Sequence, residues 1–171
     1  MTTAGGITVR PIRDNHRTAV AALMRTHGIG GTGPWEMESG RQLVFDHLVA
    51  VEDGQVVGWL EGRLDADGGP HPRFNLPYAN GAWLYWIVVS PDHRRCGIGR
   101  ALINAAATVA RDRGCEFIGG LVDQNSPWEE RLAFLTQCGL LPLVPADPSD
   151  AVGNSTQAVI AATSAWSTSD G

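Results

Sequence analysis

The chain has 171 residues, 43% of them hydrophobic and 18% charged, with a formal net charge of −5. That balance excludes a largely disordered protein, and one domain over residues 1–171 can bury about 68–70% of its unfolded surface without disulfide or metal staples. No apolar run approaches the ~18 residues of a membrane span and the Met1–Gly6 start is neither basic nor apolar, which points to a cytoplasmic protein with no membrane partner; the acidic balance argues against nucleic acid as partner.

Ile7–Arg10 reads as a first strand, and Asp14 as the cap of a helix running through Val20, Leu23 and Met24 to Gly28. After a break at 28–33, residues 35–47 read as a second helix with Leu43, Val44 and His47 on one face. Residues 48–51 and 55–64 form a hairpin across Asp53-Gly54, a strong short-turn signal. Residues 65–81 are rich in Gly and Pro and long for a hairpin loop, so they either cover a site or interface or are a plain excursion. Residues 82–89 read as an apolar strand. The next helix runs to about Arg113, with Leu102, Ala105, Ala106 and Val109 at helical spacing and Gly114 as its stop, and residues 116–122 are a further strand. Ser126-Pro127-Trp128-Glu129 offers a capping hydroxyl, a proline for the first helical position and an acid three residues after the cap, so a helix starts there and stops at Gly139. Residues 140–144 and 157–166 finish the sheet as a second hairpin. Cys96, Cys115 and Cys138 are too few and too widely spaced for a disulfide framework or a paired metal-ligand pattern.

The most informative segment is the turn Arg94-Arg95-Cys96-Gly97-Ile98-Gly99-Arg100-Ala101, between the strand 82–89 and its helix. Without Cβ atoms at Gly97 and Gly99 an anion can approach the main chain, and the first-turn N–H groups of a helix are unpaired donors with the helix dipole behind them. The three arginines add forked, permanently charged donors suited to phosphate oxygens. A pyrophosphate fits such a turn; solvated arginines on an ordinary strand-to-helix turn are the alternative, since a lone G-x-G is weak evidence. A Walker loop is excluded because the chain has no lysine, and a Rossmann turn because Leu102 stands where a third glycine is required.

Arg94-x-x-Gly97-x-Gly99, following the strand end Val89-Ser90-Pro91-Asp92-His93, resembles the acyl-CoA signature of the GNAT superfamily of N-acetyltransferases. Phe134-Leu135-Thr136-Gln137-Cys138-Gly139-Leu140 resembles the family's Phe-Tyr-x-x-x-Gly-Phe, and the order of elements extends the resemblance over nearly the whole chain. The resemblance implies an α/β (α+β) fold with a single mixed central sheet of about seven strands flanked by about four helices. It also implies acetyl-CoA as acyl donor, no metal, and transfer of the acetyl group to a primary amine of a small molecule or peptide by direct attack. A catalytically degenerate domain that binds acyl-CoA as a sensor or interaction module is the alternative, and a homodimer follows by family analogy alone.

Carried over residue by residue, the resemblance places pantetheine along the main chain of Ile87, Val88 and Val89, with the Ile87 N–H facing the thioester oxygen. It places the pyrophosphate on Arg94, Arg95, Cys96, Gly97, Ile98, Gly99, Arg100 and Ala101, with Asn125 as a further cofactor contact. The family's base positions match Trp83 and Tyr85, neither a good base at neutral pH. Tyr85 could shape the acceptor pocket or relay a proton, or be a packed strand tyrosine. Glu61, an acid between Leu60 and Gly62 on the adjacent strand, is the leading candidate for the base, with a solvated or arginine-paired acid as the alternative. Glu36, His47 and Asp65 follow it. Leu135 stands where relatives carry the tyrosine that protonates the leaving thiolate; Tyr78 is the substitute hydroxyl, and a thiol of pKa ~8.5 is a fair leaving group without help. Trp35, Trp83, Tyr85 and Trp86 suggest an acceptor with a flat or apolar part, or else belong to the core.

Overall fold

The structure is a computed structural model and describes residues 2–4, 6–29, 45–65, 74, 76–123, 127–144, 146–148 and 150–165. Its strands are β1 (Thr2–Ala4), β2 (Ile7–Pro11), β3 (Asp46–Glu52), β4 (Gln55–Arg63), β5 (Gly81–Val89), β6 (Phe117–Leu121), β7 (Leu141–Pro142) and β8 (Ala151–Ser155). The helices are α1 (Arg17–Thr26), α2 (Ile98–Asp112), α3 (Trp128–Gln137) and α4 (Thr156–Ser164). One mixed sheet runs in the order β1-β2-β3-β4-β5-β6-β8-β7, with β5–β6 the parallel pair. This is the expected architecture with a three-residue strand added at one edge.

The two faces of the sheet carry separate cores. On one, Val20, Leu23 and Met24 of α1 cover Val49, Val51, Trp59 and Val88. On the other, α2 buries Ile98, Ala101, Leu102, Ile103, Ala106, Ala107 and Ala110, a repeat of three and four residues that makes a continuous apolar stripe. It meets Leu48, Leu60, Leu84 and Ile118. Each large aliphatic side chain so buried contributes about 1.5–3 kcal/mol. The start of α2 comes so close to β4 that a Cβ at Gly58 would lie 2.8 Å from Ile98 Cγ2, which seats the first turn of α2 on the sheet. Among the described residues no helix is long and apolar enough to cross a membrane.

The β3–β4 hairpin turns on Asp53 (φ 47°) and Gly54 (φ 81°), the pair of positive φ values that a type I′ turn requires. Four expectations need correction. Asp14 does not cap α1; it opens a 3-10 turn over Asp14–His16 and pairs with Arg17 at 3.1 Å. Of the expected helix 35–47, residues 35–44 lie outside the described residues, while Asp46 and His47 belong to β3, paired with Gly62 and Glu61. Pairing with β4 thus overrides their local helical spacing. Pro127, expected at the first helical position, instead takes the N-cap of α3 with extended backbone, so the helix starts one residue later at Trp128, and Ser126 lies outside the described residues.

The fourth correction concerns the C-terminal hairpin. The strand beside β6 is Ala151–Ser155, and residues 156–164 form α4. Ala158, Ala161 and Ala162 favour helix, Thr156, Val159 and Thr163 supply a buried helical stripe, and the Ser155 hydroxyl accepts a hydrogen bond from the Ala158 N–H at 3.2 Å. α4 packs on α2, where the Asn104 side-chain amide donates to the Thr163 hydroxyl at 2.7 Å. Ser155→Ala is expected to destabilise the protein by about 1 kcal/mol and lower the thermal midpoint by about 2–4 °C. An unchanged midpoint in thermal unfolding would show that this cap does not hold α4.

Candidate active site

β5 pairs with β4 from Trp83 to Val89 but with β6 only over Gly81–Leu84. Beyond Leu84 and Gly120 the parallel strands part, and β6 continues on its other side with β8 up to Leu121–Ala151. The register decides which groups of β5 face the gap. The Ser90 N–H donates to Val57 O at 2.9 Å, and bonded and non-bonded pairs alternate along an antiparallel ladder. Val88 therefore spends its backbone groups on Trp59, whereas the N–H and C=O of Ile87 and Val89 point away from β4. The expectation that all three residues offer main-chain groups narrows to Ile87 and Val89.

The strand runs directly into the arginine-rich turn. A 3-10 turn over Pro91–His93 leads to Arg95 at φ 62° and Gly97 at φ 78°, and α2 begins at Ile98. Arg95 holds a left-handed conformation that costs a non-glycine residue about 1–3 kcal/mol, a kind of strain found mostly at functional sites. The first helical bond is Ala101 N–H to Gly97 O at 2.9 Å, so the amides of Ile98, Gly99 and Arg100 have no carbonyl within the helix to bond. Ala101 itself has its N–H committed and its side chain buried, and it presents no group to a ligand. Gly99 serves another purpose than expected: a Cβ there would stand 2.8 Å from Phe134 Cζ, so its bareness lets α3 close on α2. Arg94, Arg95 and Cys96 are exposed, with the Cys96 thiol 3.5 Å from its acceptor, Arg94 O.

On the α1 side of the sheet, Glu61 is only 7% exposed. Opposite it on β3 is His47, whose Nδ1 lies 3.7 Å from Glu61 Oε2 and whose ring stacks on Trp59 at 6.1 Å between centroids. Glu61 pairs with Trp86 and Gly62 with Leu84, which makes Tyr85 the extra residue of a β-bulge. Bulges re-aim side chains, and here Tyr85 and Trp86 emerge 48% and 41% exposed beside the buried carboxylate. Phe45 meets the Tyr85 ring edge-on at 5.2 Å. The structure thus brings together Glu61, His47, Tyr85 and Trp86, two of which the helical reading of 35–47 had separated.

Other candidates fall away from this place. Asp65 is held by Arg63 Nε at 3.0 Å. Tyr78 packs on Phe117, which pairs with Gly81 at the closed end of β5–β6, and Leu135 packs against the α2-side core. Trp83 is buried in the same small cluster as Phe117. Asn125, Glu36 and Trp35 lie outside the described residues. Burial raises the pKa of Cys115, and raises that of Cys138 to about 11 against a smaller opposing effect of Arg100, so neither supplies a thiolate at neutral pH. Among the described residues no group of three or more His, Cys, Asp or Glu side chains is placed to hold a metal ion. One residue that the sequence did not single out is present: His27, whose Nε2 lies 3.0 Å from Val89 O.

Comparison with known proteins places this chain in a family. The sequence model of the Acetyltransferase (GNAT) family matches residues 21–139, and the chain belongs to that family. It is 32% identical over 97 residues to the mycothiol acetyltransferase of Mycolicibacterium vanbaalenii, over 57% of this chain and 28% of that protein, so it spans little more than a quarter of that relative's length. In fold it is similar to AtaTR bound with AcCoA, with a TM-score of 0.65, 16% identity, and 91% and 97% of the two chains covered. It is similar also to an aminoglycoside antibiotic 6′-N-acetyltransferase from Acinetobacter baumannii, with a TM-score of 0.61, 21% identity, and 81% and 93% covered.

Two expected outcomes follow from this geometry. Gly99→Ala should destabilise the protein by about 1–3 kcal/mol through overpacking, and Phe134→Leu in the same chain should recover part of the loss; equal midpoints for wild type and Gly99→Ala would remove the close α2–α3 approach. Burial, then Arg10 and Arg13, lower the pKa of His16 below 6.5, and burial, then Arg94, lower that of His27 against the opposing Val89 bond. On acidification the unfolded chain takes up these protons first, so stability is full above 6.5 and falls as pH drops toward the folded values. Thermal midpoints from about pH 8 to about pH 5 should show this fall, and a flat profile would contradict it.

Proposed function

We propose that the chain is an N-acetyltransferase that moves the acetyl group of acetyl-CoA to a primary amine by direct attack. The observation that carries this reading is the unpaired edge of β5, with the Ile87 and Val89 groups facing the gap, continuing without a break into the turn that opens α2. That edge fits the amides of a pantetheine arm, and the Ile98, Gly99 and Arg100 amides with Arg94, Arg95 and Arg100 fit a pyrophosphate. Acetyl-CoA supplies a thioester whose carbonyl carbon accepts the amine nitrogen as the C–S bond breaks.

The Ile87 N–H faces the place where the thioester oxygen gains charge, and a fixed dipole stabilises that charge without reorganising. Glu61 takes the amine proton, directly or through a water, with His47 Nδ1 3.7 Å from its carboxylate. The thiol, of pKa ~8.5, leaves without a hydroxyl at position 135. Tyr85 and Trp86 offer apolar faces at the mouth of the gap, so the acceptor is a small amine with a flat or apolar part. The relatives named for mycothiol and aminoglycoside acetylation support a small-molecule acceptor. A second reading, an acyl-CoA sensor of the same fold, is favoured by Leu135 and by the lack of an acid at Trp83 and Tyr85.

Saturating acetyl-CoA at about 100 times its dissociation constant stabilises by ~2.7 kcal/mol, which should raise the thermal midpoint by roughly 5–11 °C, with free CoA acting similarly and ADP doing little. No shift in folded protein free of CoA would remove the donor site. Thiol release with a panel of amines separates enzyme from sensor. Glu61→Gln should lower the rate about a hundredfold or more, most at acidic pH where the amine is hardest to deprotonate; an unaltered pH profile would take Glu61 out of the mechanism.

A further inference from the structure

His27 ends α1, and its backbone is fixed before its side chain is considered. The Gly28 N–H donates to Arg25 O at 3.0 Å and the Ile29 N–H to Met24 O at 3.1 Å, with Gly28 at φ 68°. These are the two bonds of a Schellman motif, with His27 at the C-cap. The imidazole reaches across to the end of β5, where Nε2 lies 3.0 Å from Val89 O and Nδ1 lies 3.5 Å from Arg94 Nη2.

The partners dictate the tautomer. A carbonyl can only accept and a guanidinium can only donate, so Nε2 carries the hydrogen and Nδ1 offers its lone pair. An imidazolium could not accept from Arg94. Val89 O is also one of the carbonyls that the β4–β5 register turns toward the gap, and it has no ladder partner on β4. His27 satisfies that carbonyl and touches the first arginine of the turn with the other edge of the same ring.

Resting on the acyl-CoA reading above, we propose that His27 is a positioning residue of the donor site: it fixes the end of the open β5 edge through Val89 and steers the Arg94 guanidinium toward the turn, setting strand and turn relative to each other before the donor arrives. A free arginine on the surface must be ordered when it binds a phosphate, and one already restrained loses less. The short bond to Val89 supplies the anchor and the longer one to Arg94 the steering.

The test is a double-mutant cycle on acetyl-CoA dissociation constants, measured by titration calorimetry. His27→Ala is expected to weaken binding about three- to tenfold, and Arg94→Ala to weaken it also. The double variant should be little worse than Arg94→Ala alone, because His27 acts through Arg94. Asn carries an amide oxygen near the place of Nδ1, while Gln carries an amide NH2 near the place of Nε2. His27→Asn should therefore recover part of the binding, and His27→Gln should recover thermal stability without recovering binding. Additive losses, an unchanged constant in a cooperatively melting His27→Ala, or equal recovery by Asn and Gln would overturn the proposal. Wild-type protein that binds no acetyl-CoA would overturn the donor-site reading itself, and this proposal with it.

Discussion

β5 is bonded along one side to β4 and along the other to β6 for only four residues. A strand in the middle of a sheet ordinarily satisfies its backbone on both sides, because a buried N–H or C=O without a partner is costly. Here the second partner departs after Leu84 and leaves the backbone of Ile87 and Val89 turned to an open edge. One of those groups, Val89 O, is met by His27 from a helix end. The rest of the site is arranged around that edge, since the bulge at Tyr85, the buried Glu61 and the turn at Arg94 all lie on or beside the same strand.

What keeps the edge in place is packing on both faces. Trp59 and Val88 lie under α1, while Leu60 and Leu84 lie under α2, so β4 and β5 are clamped where their pairing is still complete. Two close approaches set the position of α2. Gly58 admits Ile98 and Leu102 to the sheet, and Gly99 admits the ring of Phe134. The glycines of this region therefore divide their work: Gly97 provides a left-handed backbone, whereas Gly58 and Gly99 provide space.

The buried Glu61 and His47 stand opposite each other on adjacent strands, with the stacked Trp59 beside them and two half-exposed aromatic rings toward solvent. A carboxylate in such a place is expensive without a charged or hydrogen-bonded neighbour, and His47 Nδ1 stands 3.7 Å from it. Such a pair is consistent with acid–base work on an amine arriving over Tyr85 and Trp86. The buried thiols Cys115 and Cys138 belong instead to the core on the α2 side.

Much of the architecture was legible because its signals are local. The Asp53-Gly54 turn, the apolar stripe of α2, the glycine stops at Gly28, Gly114 and Gly139, and the strand-turn-helix around Arg94 depend on residues close in sequence, and each stands where the chain predicts it. The misreadings arise where distant pairing outweighs local pattern. Asp46 and His47 carry helical spacing yet extend a strand because β4 pairs with them, and residues 151–155 become a strand because β6 offers an edge, leaving 156–164 to the helix its alanines favour. The site divides in the same way. The sequence by itself determined the arginine- and glycine-bearing turn that opens α2, whose first-turn amides are consecutive in the chain, and singled out Glu61. Only the tertiary structure decided that His47 faces Glu61, that Gly99 belongs to Phe134, and that His27 joins Val89 to Arg94, because each is a contact between segments far apart in the chain, where sequence spacing carries no information about distance.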